Sequence, residues 1–234
     1  MPTQLKQTDV FDEIASDYRK IHNQSIGFSG ADSDHFSEQK VEIVRRLEPG
    51  NPAILDLGCG DGNSAVYFTK HFPGSEYAGI DSSSKSVEIA ADRGLSNAQF
   101  ACYDGREIPY DTDTFDVVFA ACVLHHIDRT DHEPILREAM RVLKSGGHLY
   151  IFEHNPLNPL TRKVVRDCPF DEGVVLLPAG YTRDLLESIG FNRTSVNYTV
   201  FFPRQRLVRH FLGLERYLGW LPLGGQYYAR AERP

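Results

Sequence analysis

The sequence is short of cysteine and of positive charge, and each shortage excludes a class of protein. Four cysteines are scattered through 234 residues without a CxxC pair, so neither a zinc knuckle nor a disulfide scaffold is expected. The formal net charge of -7 argues against a nucleic-acid surface, which needs concentrated positive charge. There is no apolar run long enough to span a bilayer and no signal-peptide apolar region at the start. We therefore expect a reduced, cytoplasmic setting, no nucleic-acid partner and no stable membrane insertion.

What remains is the composition of one ordinary globular domain. Apolar residues make up 41% of the chain, charged residues 24% and aromatic residues 11%, which is typical of such domains. A length of 234 residues suits one α/β domain and is short for two well-developed ones. We predict a single domain over residues 1–234, with a helical lid at 1–50, a ligand-binding core at 51–155, and insertions and final strands at 156–234.

The core alternates short apolar runs with segments of helical periodicity. The run "AILDLGC" is almost entirely apolar, as expected of a strand buried on both faces of a parallel sheet. Four further predicted strands are "EYAGID", "AQFACYD", "FDVVFAACV" and "HLYIFEH". Three predicted helices between them are "NSAVYFTKHF", "SKSVEIAADRG" and "EPILREAMRVLKSGG", the last closed by its glycine pair. This alternation predicts βαβ units and a doubly wound, mostly parallel sheet.

Both ends of the chain depart from this alternation. Helical spacing predicts two helices before the core, at residues 9–22 and 36–47. After the core, a helix in "TRDLLESIGF" precedes two late strands, "SVNYTVFF" and "GGQYYARAE". We expect these strands to form an antiparallel hairpin that brings the sheet to seven strands, with the N-terminal helices lying over the ligand edge. The late aromatic residues Phe201, Phe202, Phe211, Tyr217 and Trp220 are expected to be mostly core.

A glycine-rich turn follows the first core strand. In "DLGCGDGNS", Asp56, Gly58, Gly60 and Gly62 separate a strand from a helix. Glycine lets the backbone turn sharply and approach a ligand closely, and a helix N-terminus favours an anionic group. Several kinds of ligand use such turns, and a tight turn with no ligand is the alternative.

Two acidic residues end the next two predicted strands. Asp81 follows the glycine turn by roughly 20 residues, where an acid can accept both ribose hydroxyl hydrogens. Asp104 ends the third strand, where its carboxylate can accept from an adenine amino group. Either acid alone is commonly a cap or a loop residue, but both at successive strand ends favour a nucleoside ligand.

Four segments resemble the successive motifs of class I S-adenosylmethionine-dependent methyltransferases, in the subgroup with ubiquinone- and menaquinone-methyltransferase-like small-molecule enzymes. They are "ILDLGCGDGNS", "YAGIDSSSKSVEIA", "FACYDGREIPYDTDTFDVVFAACVLHHI" and "LREAMRVLKSGGHLYIFE". The resemblance covers about residues 53–153 and implies a Rossmann-like fold and S-adenosylmethionine as cofactor. A nicotinamide site would favour G-x-G-x-x-G, whereas residues 58–63 read Gly-Cys-Gly-Asp-Gly-Asn.

The resemblance also implies cofactor contacts for the matching residues. The methionine moiety would be held by Tyr18, Asp56, Gly58, Cys59 and Gly60. The ribose would be bound by Asp81, and the adenine by Ser82, Asp104 and Gly105. The sulfonium end would be flanked by Ala120, Cys122 and His125.

Two segments offer candidate bases for removing a proton from an acceptor. The first is "VLHHIDRTDHE", with His125 and His126, for which the alternative is histidines that merely pack the loop. Its spacing matches no compact metal motif, so no metal is expected.

The second segment is "IFEHNPLNPLT", where Glu153, His154 and Asn155 follow the fifth strand. Ligands gather at the carboxyl ends of such strands. We therefore expect Glu153, His154 and Asn155 to form a polar wall that binds the acceptor, with His154 as a base and Asn155 as an orienting group. Tyr181 is expected to add to the acceptor wall. The alternative is a turn in which Asn155 and Asn158 bond their own backbone.

The sequence as a whole predicts an enzyme that methylates a small molecule, with oxygen as the expected atom. A natural-product, polysaccharide or quinone-like biosynthetic pathway is the expected setting, and a homo-oligomer stays open. Two alternatives are kept. One is a nucleotide-dependent oxidoreductase, and the other is a non-catalytic regulatory protein that binds S-adenosylmethionine.

Overall fold

A computed structural model describes residues 32–171, 173–202 and 213–234. The predicted first helix and nearly all of the polar loop after it lie outside these residues. The second predicted helix is helix α1, Ser33–Leu47. Its start is set by Asp32, whose carboxylate accepts from the backbone N–H of His35 at 2.9 Å, as an N-cap residue does.

The strands and helices of the core follow the predicted alternation. They are β1 (Ile54–Leu57), α2 (Asn63–His71), β2 (Tyr77–Asp81), α3 (Ser84–Ala91), β3 (Ala98–Cys102), β4 (Phe115–Ala121), α4 (Arg129–Val142) and β5 (Leu143–His154). The remainder consists of α5 (Pro159–Asp167), α6 (Ala179–Ile189), β6 (Asn192–Thr199), α7 (Glu215–Leu218) and β7 (Gln226–Glu232). Two 3-10 turns, Leu124–His126 and Pro169–Asp171, follow β4 and α5.

The seven strands form one sheet in the order β3-β2-β1-β4-β5-β7-β6. Strands β1 to β5 pair in parallel, and β7 runs antiparallel to both β5 and β6. The predicted doubly wound sheet and its antiparallel C-terminal hairpin are therefore confirmed. Chain order reverses between β1 and β4, and ligands of such sheets bind in the crevice at the carboxyl ends of the strands beside that point.

The core packs on both faces of the sheet, which explains the continuous apolar run of β1. Leu55 and Leu57 face a cluster that includes Leu136 of α4. Ile54 faces the opposite cluster with Phe68 of α2. Every residue of β1 is buried. Side chains on both faces of the strand therefore lie in the protein interior, which explains why the run is apolar throughout instead of alternating.

Two expectations about the fold are wrong. Helix α4 ends at Val142, and β5 already begins at Leu143, whereas the sequence predicted a helix running to the glycine pair. Tyr217 and Trp220 are 62% and 74% exposed rather than core. Their segment is held by its backbone, since the carbonyl of Gly219 accepts from the N–H of Tyr198 at 2.7 Å.

Across the described ranges, each helix is too short or too polar to cross a lipid bilayer.

Candidate active site

The glycine turn after β1 is shaped by two neighbouring segments. Gly58 has a φ of +77°, and its N–H and that of Cys59 both donate to the carbonyl of Ile80, at 2.8 and 3.0 Å. A Cβ on Gly58 would lie 2.5 Å from a Val123 side-chain methyl. Glycine is therefore required here by backbone angle and by space.

The same turn is joined directly to the acid that ends β2. The N–H of Gly60 donates to the Asp81 carboxylate at 2.8 Å, and the N–H of Ser83 donates to its other oxygen at 2.9 Å. A Cβ on Gly60 would meet no atom within 4 Å, so the turn presents open backbone beside Asp81. The structure thus brings together the predicted methionine-binding turn and the predicted ribose-binding acid.

Asp56, at the third position of β1, is a buried acid inside the turn. It is 2% exposed, and the hydroxyl of Tyr77 donates to it at 2.5 Å. Burial raises the pKa of Asp56 to about 7, against the Tyr77 hydrogen bond, and the negative charge of Asp81 adds to the rise. A cation placed beside Asp56 would favour its charged form, so the site suits an ammonium group.

Lys40 of α1 faces the same region and was missed at the level of sequence. It is 8% exposed, and its ammonium makes no hydrogen bond or ion pair with the described residues. Burial raises the pKa of both Asp56 and Cys122, and the positive charge of Lys40 acts against it at each. A buried, unpaired ammonium is costly and suits an anionic ligand group. Its signal in the sequence is a lysine four residues before Val44 on the buried face of an amphipathic helix.

The three predicted adenine contacts lie just after β2 and β3. Asp104 is exposed, and its carboxylate accepts from the backbone N–H groups of Arg106 and Glu107 at 2.8 and 3.0 Å. These hydrogen bonds lower the pKa of Asp104. They are the contacts of a loop residue, which was the alternative to an adenine-binding role for Asp104. Gly105 has a φ of +79° and open space where a Cβ would stand. Ser82 is exposed at the end of β2.

On the other side of the crevice, Glu153 and His125 form a buried pair. Glu153 is 0% exposed; one carboxylate oxygen accepts from the N–H of Leu124 at 2.9 Å, and the other lies 2.5 Å from His125 Nδ1. Burial opposes a charged imidazole, but the charge of Glu153 prevails and raises the pKa of His125 well above its ordinary value. These contacts fix the position and orientation of the His125 ring, and its expected role as a base stays a prediction.

His126 and Asp171 stand next to this pair. One carboxylate oxygen of Asp171 lies 3.5 Å from His126 Nε2 and 3.7 Å from His125 Nε2. Burial and the neighbouring positive charge of His125 lower the pKa of His126 to about 3. Asp171 was not among the predicted site residues because it comes from the 3-10 turn after α5, far along the chain from the histidines.

His154 lies beside His125 at the end of β5, with ring centroids 5.3 Å apart. Cys122, at the end of β4, has a φ of +59°, and the amide nitrogen of Gln226 lies 3.9 Å from its sulfur. Burial raises the pKa of Cys122, but the positive charge of Lys40 and the interactions of the thiol with the His154 ring outweigh it and lower the pKa to about 7. The predicted residues Cys122, His125, His126 and His154 therefore converge where β4, β5 and β7 meet.

Asn155 has contacts of a different kind from those expected of an acceptor-binding group. Its amide nitrogen donates to the carbonyls of Pro222 and Gly224 at 3.2 and 2.7 Å, and its amide oxygen accepts from the N–H of Leu157 at 3.0 Å. Asn155 is thus a brace between the turn after β5 and the turn before β7, and its expected contact with the acceptor stays a prediction.

The remaining predicted residues are placed as follows. The Tyr181 hydroxyl is 2.9 Å from His132 Nδ1, so this contact joins α6 to α4. Cys59 and Ala120 are buried, at 7% and 1% exposure. Tyr18 lies outside the described residues.

Residues 54–147 match a family described as a methyltransferase domain. The chain is 34% identical over 149 residues to the demethylmenaquinone methyltransferase of Thermotoga maritima, a match that covers 64% of this chain and 62% of that one. It is 33% identical over 135 residues to the malonyl-[acyl-carrier protein] O-methyltransferase of Herminiimonas arsenicoxydans, covering 55% of this chain and 50% of the relative. Each match thus spans less than two thirds of the relative's length.

A solved structure of an S-adenosylmethionine-dependent methyltransferase from Thermotoga maritima has the same fold. The two superpose with a TM-score of 0.71, covering 97% of this chain and 99% of the other, at 19% identity. At that identity the likeness concerns the fold and leaves the acceptor to be argued from the residues themselves.

Proposed function

We infer that this chain, whose residues 54–147 match a methyltransferase-domain family, is a class I S-adenosylmethionine-dependent enzyme that transfers a methyl group to a small-molecule acceptor. The observation that carries the proposal is the 2.8 Å hydrogen bond between Gly60 N–H and Asp81, in a crevice that also holds Asp56 and Lys40. Open glycine backbone, the acid at the end of β2, a buried carboxylate and an ammonium with no partner in the described part of the chain meet there. These are the groups that a ligand with a ribose, an ammonium and a carboxylate requires.

The residues fit S-adenosylmethionine moiety by moiety. Asp81 would accept from the ribose hydroxyls, as acids at this position do in nucleoside sites. Asp56 would face the amino-acid ammonium, and Lys40 the carboxylate. The bound sulfonium supplies an activated methyl group, so the protein's main task is to align the acceptor with it and to exclude water.

We propose oxygen as the methylated atom and His154 as the group that takes its proton. His154 follows β5 on the acceptor side, whereas the Glu153 contact fixes the position of the His125 ring. In the transfer, the acceptor oxygen forms a bond to the methyl carbon as the carbon–sulfur bond breaks, and the electron pair stays on sulfur. One relative carries an O-methyltransferase name, which supports the choice of oxygen. The proposed setting is small-molecule biosynthesis in the cytoplasm, of natural-product, polysaccharide or quinone-like type.

Cofactor binding is tested by titrating the full chain with S-adenosylhomocysteine in a calorimeter. We expect binding to weaken about tenfold or more in Asp81→Asn and in Lys40→Met, because each loses a charged hydrogen bond. Glu133→Gln, on the exposed face of α4, is the matched control and should bind as the parent does. Binding of NAD⁺ without S-adenosylhomocysteine would support the oxidoreductase alternative and overturn the proposal.

Turnover is tested with methyl-labelled S-adenosylmethionine and a panel of hydroxylated acids, quinols and sugars. We expect label in at least one acceptor and a loss of about 10²-fold or more in His154→Ala, with His71→Ala as the control. Full turnover in His154→Ala would remove His154 as the base. Cofactor binding with no label in any acceptor would support the non-catalytic alternative.

A further inference from the structure

We propose that His125, His126 and Asp171 bind one divalent first-row transition-metal ion at the acceptor side of the crevice. The candidate ligand atoms of these three side chains all lie within 4.8 Å of one another. Imidazole and carboxylate are the ligands that zinc and ferrous ions commonly take from proteins.

The distances within the group fit a shared ion better than hydrogen bonds. Asp171 Oδ1 lies 3.5 Å from His126 Nε2 and 3.7 Å from His125 Nε2, whereas N–H···O hydrogen bonds measure about 2.7–3.2 Å. Two ligands of a tetrahedral ion with metal–ligand bonds of about 2.0–2.1 Å stand about 3.4 Å apart. The carboxylate is therefore spaced from both nitrogens approximately as a second ligand of the same ion would be.

Glu153 supplies the outer support that a metal-binding histidine commonly has. Its carboxylate holds His125 Nδ1 at 2.5 Å, which leaves Nε2 turned to Asp171. The same carboxylate is fixed by the N–H of Leu124 at 2.9 Å. A carboxylate on one imidazole nitrogen sets the ring's tautomer and orients the other nitrogen toward a metal.

The site has a closed side and a more open side. The His125 and Glu153 side chains are each 1% exposed, whereas those of His126 and Asp171 are 14% and 11% exposed. Three protein ligands leave a coordination position for a further group, as in catalytic metal sites. The His154 ring lies 5.3 Å from that of His125, so the proposed base is a neighbour of the proposed metal ligands.

The role of the ion rests on the proposed function, but its binding does not. A bound metal lowers the pKa of a coordinated hydroxyl, so an acceptor hydroxyl would release its proton to His154 or to solvent on binding. The resulting oxygen would then be the nucleophile of methyl transfer.

No metal was expected from the sequence, although His and carboxylate side chains can supply ligands, because the ligands come from two distant segments. His125 and His126 follow β4, and Asp171 follows α5, so no compact spacing joins them. A second group, Glu38, Glu42 and His71, also has ligand atoms close together. There, however, Glu38 already pairs with Lys70 at 2.6 Å.

Metal binding is measured on the full chain after chelator treatment, by calorimetric titration with Zn²⁺ and by the absorption bands of Co²⁺, with Mg²⁺ as the contrasting ion. We expect one equivalent of Zn²⁺ and ligand-field bands for Co²⁺. Asp171→Asn and His126→Gln should lose this binding. Glu153→Gln, a positioning change, should weaken it about 10- to 100-fold. Controls are His71→Gln, in the second group, and Asp167→Asn, an exposed acid near Asp171; both should bind as the parent does.

The outcomes separate the metal proposal from the proposed function. Wild-type protein that binds S-adenosylhomocysteine but not Zn²⁺ or Co²⁺ overturns the metal site alone. Unchanged Zn²⁺ affinity in both Asp171→Asn and His126→Gln, with native circular dichroism, also overturns it. Loss of Zn²⁺ binding in His71→Gln would place the ion in the second group and contradict the proposal. Zn²⁺ binding without S-adenosylhomocysteine binding would leave the metal site and contradict the proposed function.

Discussion

The two sides of the crevice hold their polar groups in different ways. On the cofactor side, at the ends of β1, β2 and β3, carboxylates contact backbone N–H groups, as Asp81 contacts Gly60 and Asp104 contacts Arg106. On the acceptor side, at the ends of β4 and β5, side chains contact other side chains from distant segments, as Glu153 contacts His125.

The difference lies in what each side depends on. The cofactor side depends on backbone shape, which glycines and turns provide locally, so one residue can change without leaving a buried charge unmatched. The acceptor side depends on charge compensation among buried groups, and removal of one partner leaves the other charge uncompensated. A substitution should therefore cost more on the acceptor side. Substitutions at Glu153, Asp56, Gly58 and Asn155 test that ranking, from the largest expected effect to the smallest.

The largest effect is expected for Glu153→Ala, which strands a charged imidazole in the interior. The His125–Glu153 side chains are each 1% exposed, and loss of one partner of such a pair costs about 3–5 kcal/mol of unfolding free energy. Denaturant titration measures this cost. Glu133→Ala breaks the exposed 2.7 Å pair with Arg137 and should change stability by about 0.5 kcal/mol or less. Equal losses of unfolding free energy in Glu153→Ala and Glu133→Ala would contradict the proposal that the acceptor side depends on buried charge.

Asp56 is an exception on the cofactor side, because it is a buried acid and its effect on stability depends on charge instead of backbone shape. Burial raises its pKa from 3.8 to about 7, so the folded protein keeps a proton that the unfolded chain releases. Its contribution to stability is full below about pH 4 and is lost as the pH rises through about 7. Three pKa units correspond to about 4 kcal/mol over that window.

The measurement is denaturant stability from pH 4 to 8 in the parent and in Asp56→Asn, which keeps an acceptor for the Tyr77 hydroxyl. The parent should lose stability relative to Asp56→Asn as pH rises. Parallel pH profiles would contradict a raised pKa at Asp56. S-adenosylhomocysteine affinity should also fall below pH 7 in the parent, since its ammonium requires the ionised carboxylate, and this dependence should be absent in Asp56→Asn.

The sequence predicts the cofactor side better than the acceptor side, because local backbone contacts can be inferred from sequence and contacts between distant side chains cannot. Gly60 and Asp81 could be placed together because a glycine turn and the next strand end must meet at one edge of a parallel sheet. Lys40 and Asp171 could not, since no strand register or local spacing links them to the site. The hydrogen bonds of Asn155 could not be predicted either, because its partners Pro222 and Gly224 lie in a turn that only the fold brings next to β5.

Gly58→Ala tests whether the backbone shape of the glycine turn determines stability and S-adenosylhomocysteine binding on the cofactor side. The new Cβ would lie 2.5 Å from a Val123 side-chain methyl, and the alanine would have to keep a φ of +77°. Backbone strain and overpacking together should lower the free energy of unfolding by about 2–4 kcal/mol. Gly50→Ala is the matched control, with the same φ of +77° and no atom within 4 Å, and should cost about 1 kcal/mol. Thermal unfolding and S-adenosylhomocysteine binding report both effects. Similar values for the two alanines would show that the Val123 contact adds nothing.

Asn155→Ala is expected to have the smallest effect, because Asn155 is neutral although it lies on the acceptor side. It loses hydrogen bonds to Pro222, Gly224 and Leu157, each contributing about 0.5–1.5 kcal/mol net, and relaxation of the turns should hold the total near 1–2 kcal/mol. The proposed brace predicts lower thermal stability with an unchanged KM for the acceptor. Asp32→Ala, which removes the 2.9 Å N-cap of α1, should cost about 1 kcal/mol and serves as the reference for a local change. If Asn155→Ala instead raised the acceptor KM at full stability, Asn155 would be a binding group. Neutral hydrogen bonds would then matter on the acceptor side as much as its buried charges.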